Sequence, residues 1–176
     1  RQMCIRDRNN SAVFDSNGNI TGGNSIDRAG LDMLSPEDAQ KIQNKAIMKK
    51  RVPFSSENKF SAVTLNNGAN DFTVYKGAPE KLIEKCKFYL DNDGIVTELT
   101  EEKRKALKSH IKGLTEKAMR CIALTISDKT DDGLPDEMNL LGIIGVVDPV
   151  RNEVPEAVKI AHKAGIQVIE ITLSLI

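Results

Sequence analysis

Residues 52–80 read VPFSSENKFSAVTLNNGANDFTVYKGAPE. Phe60 to Leu65 and Phe72 to Tyr75 are rich in β-formers, and Asn66-Asn67-Gly68 between them is turn chemistry. The stretch therefore predicts a β-hairpin. It runs out into Lys76-Gly77-Ala78-Pro79-Glu80. Gly77 there permits close backbone approach, and Pro79 suits the first turn of a helix reaching about Cys86. Phe54 and Lys59 lie near one end of this ribbon and Lys76 near the other, an arrangement that suits a planar base followed by phosphates. The same residues also read as a core phenylalanine and two solvated lysines, since short motifs recur by chance.

On the N-terminal side, Val13 to Thr21 gives a strand-turn-strand signal around Asn17-Gly18. Asn24 or Ser25 caps a predicted helix over about Ile26 to Leu34. Ser35-Pro36-Glu37-Asp38 starts another, with Ala39, Ile42 and Ala46 at helical spacing. The basic run Lys49-Lys50-Arg51 is read as solvating the C-terminus of that helix.

On the C-terminal side, Phe88 to Leu90 and Ile95 to Leu99 flank Asp91-Asn92-Asp93-Gly94 as a second hairpin. A calcium loop is excluded, because the ligand spacing and terminal Glu do not follow. Thr100 caps the longest predicted helix, to about Ala118, with Leu107, Ile111, Leu114 and Ala118 as its core stripe. Arg120 to Ser127 reads as a strand, and Leu140 to Val147 is nearly all apolar. Val146-Val147, a helix from about Val154 to Ala164 stopped by Gly165, and a strand over Ile166 to Ile171 read as a βαβ unit on a buried parallel sheet.

The chain of 176 residues suits one domain, or one domain plus part of another. At 40% hydrophobic and 4% aromatic, its core is aliphatic. Lys+Arg and Asp+Glu stand at 25 each, so no nucleic-acid partner is expected. Cys4, Cys86 and Cys121 fit neither a disulfide framework nor a metal site, and point to a reducing compartment. His110 and His162 are ordinary helix residues. The longest apolar run, Leu140 to Val147, is too short to cross a bilayer, and no signal-peptide pattern is read. Arg1 to Arg8 and Leu173 to Ile176 look like translated adapter sequence.

PFSSENKFSAV followed by KGAPE resembles the nucleotide-binding domain of P-type cation-transporting ATPases, the calcium-pump branch in particular. GNSIDRAGL at Gly23 to Leu31, MRCIALT at Met119 to Thr125 and DPVRNEV at Asp148 to Val154 agree with it in order. The resemblance implies an α+β fold, an antiparallel sheet flanked by helices, over residues 10–145. A partial phosphorylation domain, a Rossmann-like βαβ unit of the haloacid dehalogenase type, follows over 146–172, with 1–9 and 173–176 as non-native tails. It also implies that adenine sits in a pocket holding Asp27, Phe54 and Ile122. Lys59, Lys76 and Gly77 lie alongside, and Arg120 lies near the phosphates. Asp148 and Arg151 match a motif at the interdomain hinge, near the phosphates. Ile26 and Gly30 stand where the family has threonine and leucine, and Ser56 stands where many calcium pumps carry arginine.

The expected function is ATP and ADP binding on the cytoplasmic side of a membrane, positioning ATP for phosphoryl transfer to an aspartate outside this sequence. The phosphorylated Asp-Lys-Thr-Gly-Thr motif and the magnesium-binding motifs are absent. This stretch alone is therefore expected to be inactive, with no catalytic residue or metal ligand of its own. Its partners would be the pump's own phosphorylation, actuator and transmembrane domains, with no membrane contact by this stretch. One alternative is a stand-alone haloacid-dehalogenase-type hydrolase with residues before Gly145 as its cap, which would need an Asp-x-Asp nucleophile, a motif expected to be absent. Others are a pump for another cation, or an interaction domain without a ligand, which a nucleotide titration would separate.

Overall fold

The hairpin forms as β4 (Phe60–Asn66) and β5 (Asp71–Gly77), paired antiparallel in a computed structural model of the chain. The structure describes residues 11–38, 46–91, 93–129, 133–147 and 153–169. The connection is closed by side chains acting on backbone. Asn66 Oδ1 accepts from Gly68 N at 2.9 Å, and Asn67 Oδ1 accepts from Ala69 N and Asn70 N. Gly68 takes a positive φ of 93° at no steric cost.

Five further strands extend this ribbon: β3 (Ile47–Val52), β6 (Cys86–Leu90), β7 (Val96–Glu98), β8 (Arg120–Ser127) and β9 (Met138–Val146). The spatial order is β3-β4-β5-β8-β9-β6-β7, and every neighbouring pair is antiparallel except β6 with β9. The expected antiparallel α+β sheet is thus a mixed sheet with one parallel pair. A separate hairpin of β1 (Ala12–Phe14) and β2 (Ile20–Gly22) precedes α1 (Ser25–Asp32). Asn24 is its N-cap, accepting from Asp27 N at 2.9 Å.

Register sorts the central strands by face, because directly opposed residues share a side of the sheet. Phe60, Ala62, Tyr75 and Ala123 point to one face, where α2 (Pro79–Leu82), a 3-10 turn (Ile83–Lys85) and α3 (Glu101–Thr115) cover them. Ser61, Val63, Val74 and Lys76 point to the other. Val63, Leu65 and Val74 form a second cluster there, and the β1–β2–α1 unit, with a small core of Ala12, Leu31 and Leu34, meets the same face where Ile26 and Gly30 lie near Lys76, Ile122 and Leu124.

Two expectations are corrected. Lys49-Lys50-Arg51 does not end a helix. Residues 36–38 start one, with Ser35 Oγ accepting from Asp38 N at 3.1 Å, but Ile47–Val52 is an edge strand paired with β4. Helical spacing up to Ala46 carried no stop signal, and the open edge of β4 overrides local propensity. The predicted βαβ unit is also not formed among the described residues. Val146 ends β9, opposite Arg120 in an antiparallel ladder, and residues 166–169 are not strand. An apolar run reports burial but not the direction of its partner. The helix between them does form, as α4 (Val154–Lys163), capped by Gly165 at φ 75°, but it buries none of its residues. Asp148, Arg151 and the end of the expected last strand lie outside the described residues.

Of the α3 stripe, Leu107 and Ile111 pack on the main core, and Ala118 falls beyond the helix at φ 58°. Thr100 caps α3, accepting from Lys103 N. Cys86 is buried, and burial pushes its thiol up to about 12, so it stays protonated and inert. Arg104 on α3 joins the layers. It donates to Ile83 O, to Cys86 O at 3.0 Å and to Glu101 Oε1 at 3.0 Å, with its side chain 12% exposed. Arg104→Met keeps the packing stem but removes the donors to two carbonyls. It is expected to lower unfolding stability by about 1.5–3 kcal/mol, the range for hydrogen bonds to charged groups, in a denaturant titration. No change would show that water serves those carbonyls equally well.

Candidate functional site

The sheet face that carries Ser61 and Lys76 opens, at the end where β5 leaves the hairpin, into a cavity of about 1030 Å³. Gly77 makes this end narrow. A Cβ there would lie 2.5 Å from Lys59 O and 2.7 Å from Phe60 Cα, so only glycine lets β5 pass so close to the start of β4. Ala78 N then donates to Lys59 O at 2.9 Å. The loop before β4 is tied back by Lys59 N to Ser55 O at 2.8 Å and by Asn58 N to Ser55 Oγ at 3.1 Å.

The loop delivers its residues at a local cost. Lys59 sits at φ 58°, the left-handed region that costs a side-chain-bearing residue about 1–2 kcal/mol. Phe54 is 62% exposed, so it is not a core residue but an aromatic at the cavity rim. Lys59 is exposed beside it.

Lys76 behaves differently. Its side chain is only 15% exposed, and Nζ pairs with Asp27 Oδ1 on α1, while Asp27 Oδ2 accepts from Ser11 N at 3.0 Å. Removing one member of such a buried pair costs about 3–5 kcal/mol, because the other charge is left in low dielectric. The solvated-lysine alternative therefore fails for Lys76.

Asp27, Phe54, Lys59, Lys76, Gly77, Arg120 and Ile122, the nucleotide-binding residues implied by the resemblance, all line this one cavity, while Asp148 and Arg151 lie outside the described residues. Ser56, standing where arginine was expected, lines it too. Sequence reasoning missed Arg51, which reaches the wall from β3 and donates to Ser11 Oγ at 2.6 Å. It was hidden by the helix assignment, since only strand period and the β3–β4 register put it on this face. Also missed was the wall made by Ile111, Thr115 and Met119, for which no local signal exists. The basic residues of the lining, Arg51, Lys59, Lys76 and Arg120, outnumber the acidic Asp27 and Glu80. Such a cavity suits an anion with an apolar, planar part. No group of three or more His, Cys, Asp or Glu side chains suited to a metal occurs among the described residues. No helix among them is long and apolar enough to cross a membrane.

Fold and cavity together define an α+β domain with a basic, aromatic-rimmed cavity. Residues 8–153 match the family profile described as P-type ATPase, cytoplasmic domain N. The chain belongs to that family. It is 34% identical over 146 residues to calcium-transporting ATPase 7, plasma membrane-type, of Oryza sativa subsp. japonica, covering 78% of this chain and 14% of that protein. It is 31% identical over 166 residues to the human calcium-transporting ATPase type 2C member 2, covering 93% of this chain and 17% of the relative. Against calcium-transporting ATPase 8, plasma membrane-type, of Arabidopsis thaliana it is 32% identical over 133 residues, covering 68% of this chain and 12% of the relative. The chain thus spans between 12% and 17% of the length of these relatives.

The strained backbone and the charge of Lys59 are separable. Lys59→Gly relieves the left-handed strain, so it should be more stable than Lys59→Ala by about 1 kcal/mol in thermal melts. Equal stabilities would mean the loop relaxes without cost.

Proposed function

We propose that the cavity binds ATP and ADP, with the adenine against Phe54 and Ile122, Lys59 and Lys76 alongside, and the phosphates toward Arg120. The observation that carries this reading is the exposed Phe54 at the rim of a cavity whose lining is apolar with an excess of basic groups. Stacking on an aromatic needs only a flat face and contributes about 1–3 kcal/mol per base. Exposed cations then meet the phosphate charge without the cost of burying an unpaired group.

In the whole pump, this domain would position ATP for transfer of its γ-phosphate to an aspartate outside this sequence. Positioning and charge stabilisation are what phosphoryl transfer asks of a protein. We assign the transported ion as calcium, on the names of the relatives. Residues 146–172 are assigned to the start of the phosphorylation domain, with Asp148 and Arg151 near the phosphates. The hydrolase alternative gains no support. The Asp-x-Asp motif expected to be absent does occur literally, at Asp91 and Asp93, but these two lie between β6 and β7, where Asp91 Oδ1 accepts from Asp93 N and Ile95 N.

ADP is expected to bind at about millimolar Kd, near −4 kcal/mol, with no requirement for magnesium. Phe54→Ala should abolish the chemical-shift changes on titration, and an unchanged titration would remove the stacking assignment. Incubated with γ-labelled ATP and magnesium, the chain should release no phosphate above the blank and form no aspartyl-phosphate. Turnover that survives purification and disappears in Asp148→Asn would revive the hydrolase reading.

A further inference from the structure

Arg51, Lys59 and Arg120 line the cavity with no acidic partner among the described residues, unlike Lys76. Lys59 flanks Phe54 and Arg120 faces the phosphates in the reading above, but Arg51 has no part in it. Arg51 stands on the cavity side because of an irregularity in β3. Ile47 lies opposite Asn66 and Met48 opposite Leu65, yet Lys50, not Lys49, lies opposite Thr64. The extra residue puts Arg51 opposite Val63. With an unbroken register Arg51 would oppose Ala62 and point at the main core. Bulges re-aim side chains in this way beside functional sites.

The ladder also fixes how far Arg51 lies from Arg120. Arg51, Val63, Val74 and Ile126 form one row across β3, β4, β5 and β8. Arg120 is six residues from Ile126 along β8, roughly 20 Å at about 3.3 Å per residue. The row itself is three strand spacings wide, about 14 Å. The two guanidinium groups therefore serve opposite ends of the cavity, and Arg51 has no share in a phosphate held at Arg120. Nη2 of Arg51 donates to Ser11 Oγ at 2.6 Å, which leaves other N–H donors of the fork for a ligand. At the uncharged end of a nucleotide, such a fork meets the edge of the base. Guanine and hypoxanthine present two acceptors there, O6 and N7, whereas adenine sets its N6 amino donor beside N7. We infer that Arg51 reads that edge, and that the cavity takes 6-oxopurine nucleotides at least as well as adenine ones. This rests on the reading of the cavity as a nucleotide site and names the class of base it selects.

The test titrates the full chain, Arg51→Met and Arg51→Lys with ADP, GDP and inosine diphosphate, after thermal melts without ligand confirm a common fold. The wild-type chain should bind GDP and inosine diphosphate at least as tightly as ADP. Arg51→Met should weaken both about tenfold and leave ADP within about twofold. Arg51→Lys keeps the charge but not the planar fork, so it should lose the same preference. It also reports where Arg51→Met does not fold. Equal weakening of all three nucleotides in Arg51→Met, restored in Arg51→Lys, would show a general attraction for the anion and overturn the inference. ADP bound with GDP excluded, or titrations that neither substitution moves, would overturn it as well and leave the nucleotide reading standing. Failure of all three to bind the wild-type chain would remove the nucleotide reading, and this assignment with it.

Discussion

Register between β4, β5 and β8 is the constraint on which the rest of the molecule depends. Ser61 lies opposite Lys76, and Lys76 opposite Leu124, so these share one face with Ile122 two residues along β8. Phe60, Gly77 and Ala123 share the other. A slip of one residue would send Lys76 into the main core and Tyr75 onto the cavity side, at a cost no local interaction could offset. Gly77 helps to hold the register, since the approach of β5 to Lys59 and Phe60 leaves no room for a side chain at that point.

The same ladder explains why the two lysines differ. Lys76 is carried by a strand with α1 above it, so its charge is withdrawn from water and met by Asp27. Lys59 stands on the loop just before the strand begins, outside the ladder and exposed. Desolvation makes the first pair structurally expensive to disturb, while the second cation can adjust to a ligand at little cost. One wall of the cavity is thus electrostatically fixed and the other adaptable.

Arg104 does for the opposite face what Asp27 does for this one. Both are charged groups reaching between layers to backbone or side-chain partners that would otherwise be buried without them. The two differ in their surroundings. Arg104 lies beside a dense cluster that includes Leu82, Ile83 and Cys86, whereas Asp27 lines the cavity.

Local chemistry made much of the chain legible before any tertiary contact was known. Turn residues at Asn17-Gly18, Asn66-Asn67-Gly68 and Asp93-Gly94 placed three hairpins, and Asn24, Thr100 and Gly165 marked helix ends, because these act within a few residues of themselves. The motif residues of the cavity were legible by resemblance. What the sequence did not determine was partnership across distance. The open edge of β4 turned the basic run into β3, and the antiparallel ladder with β8 claimed Val146, which the apolar pattern had assigned to a parallel unit. Arg51 and the Ile111–Met119 wall joined the cavity only through the register of strands and the docking of α3. Hydrophobic pattern encodes which residues leave water, whereas strand direction and register are decided by the surface each element meets.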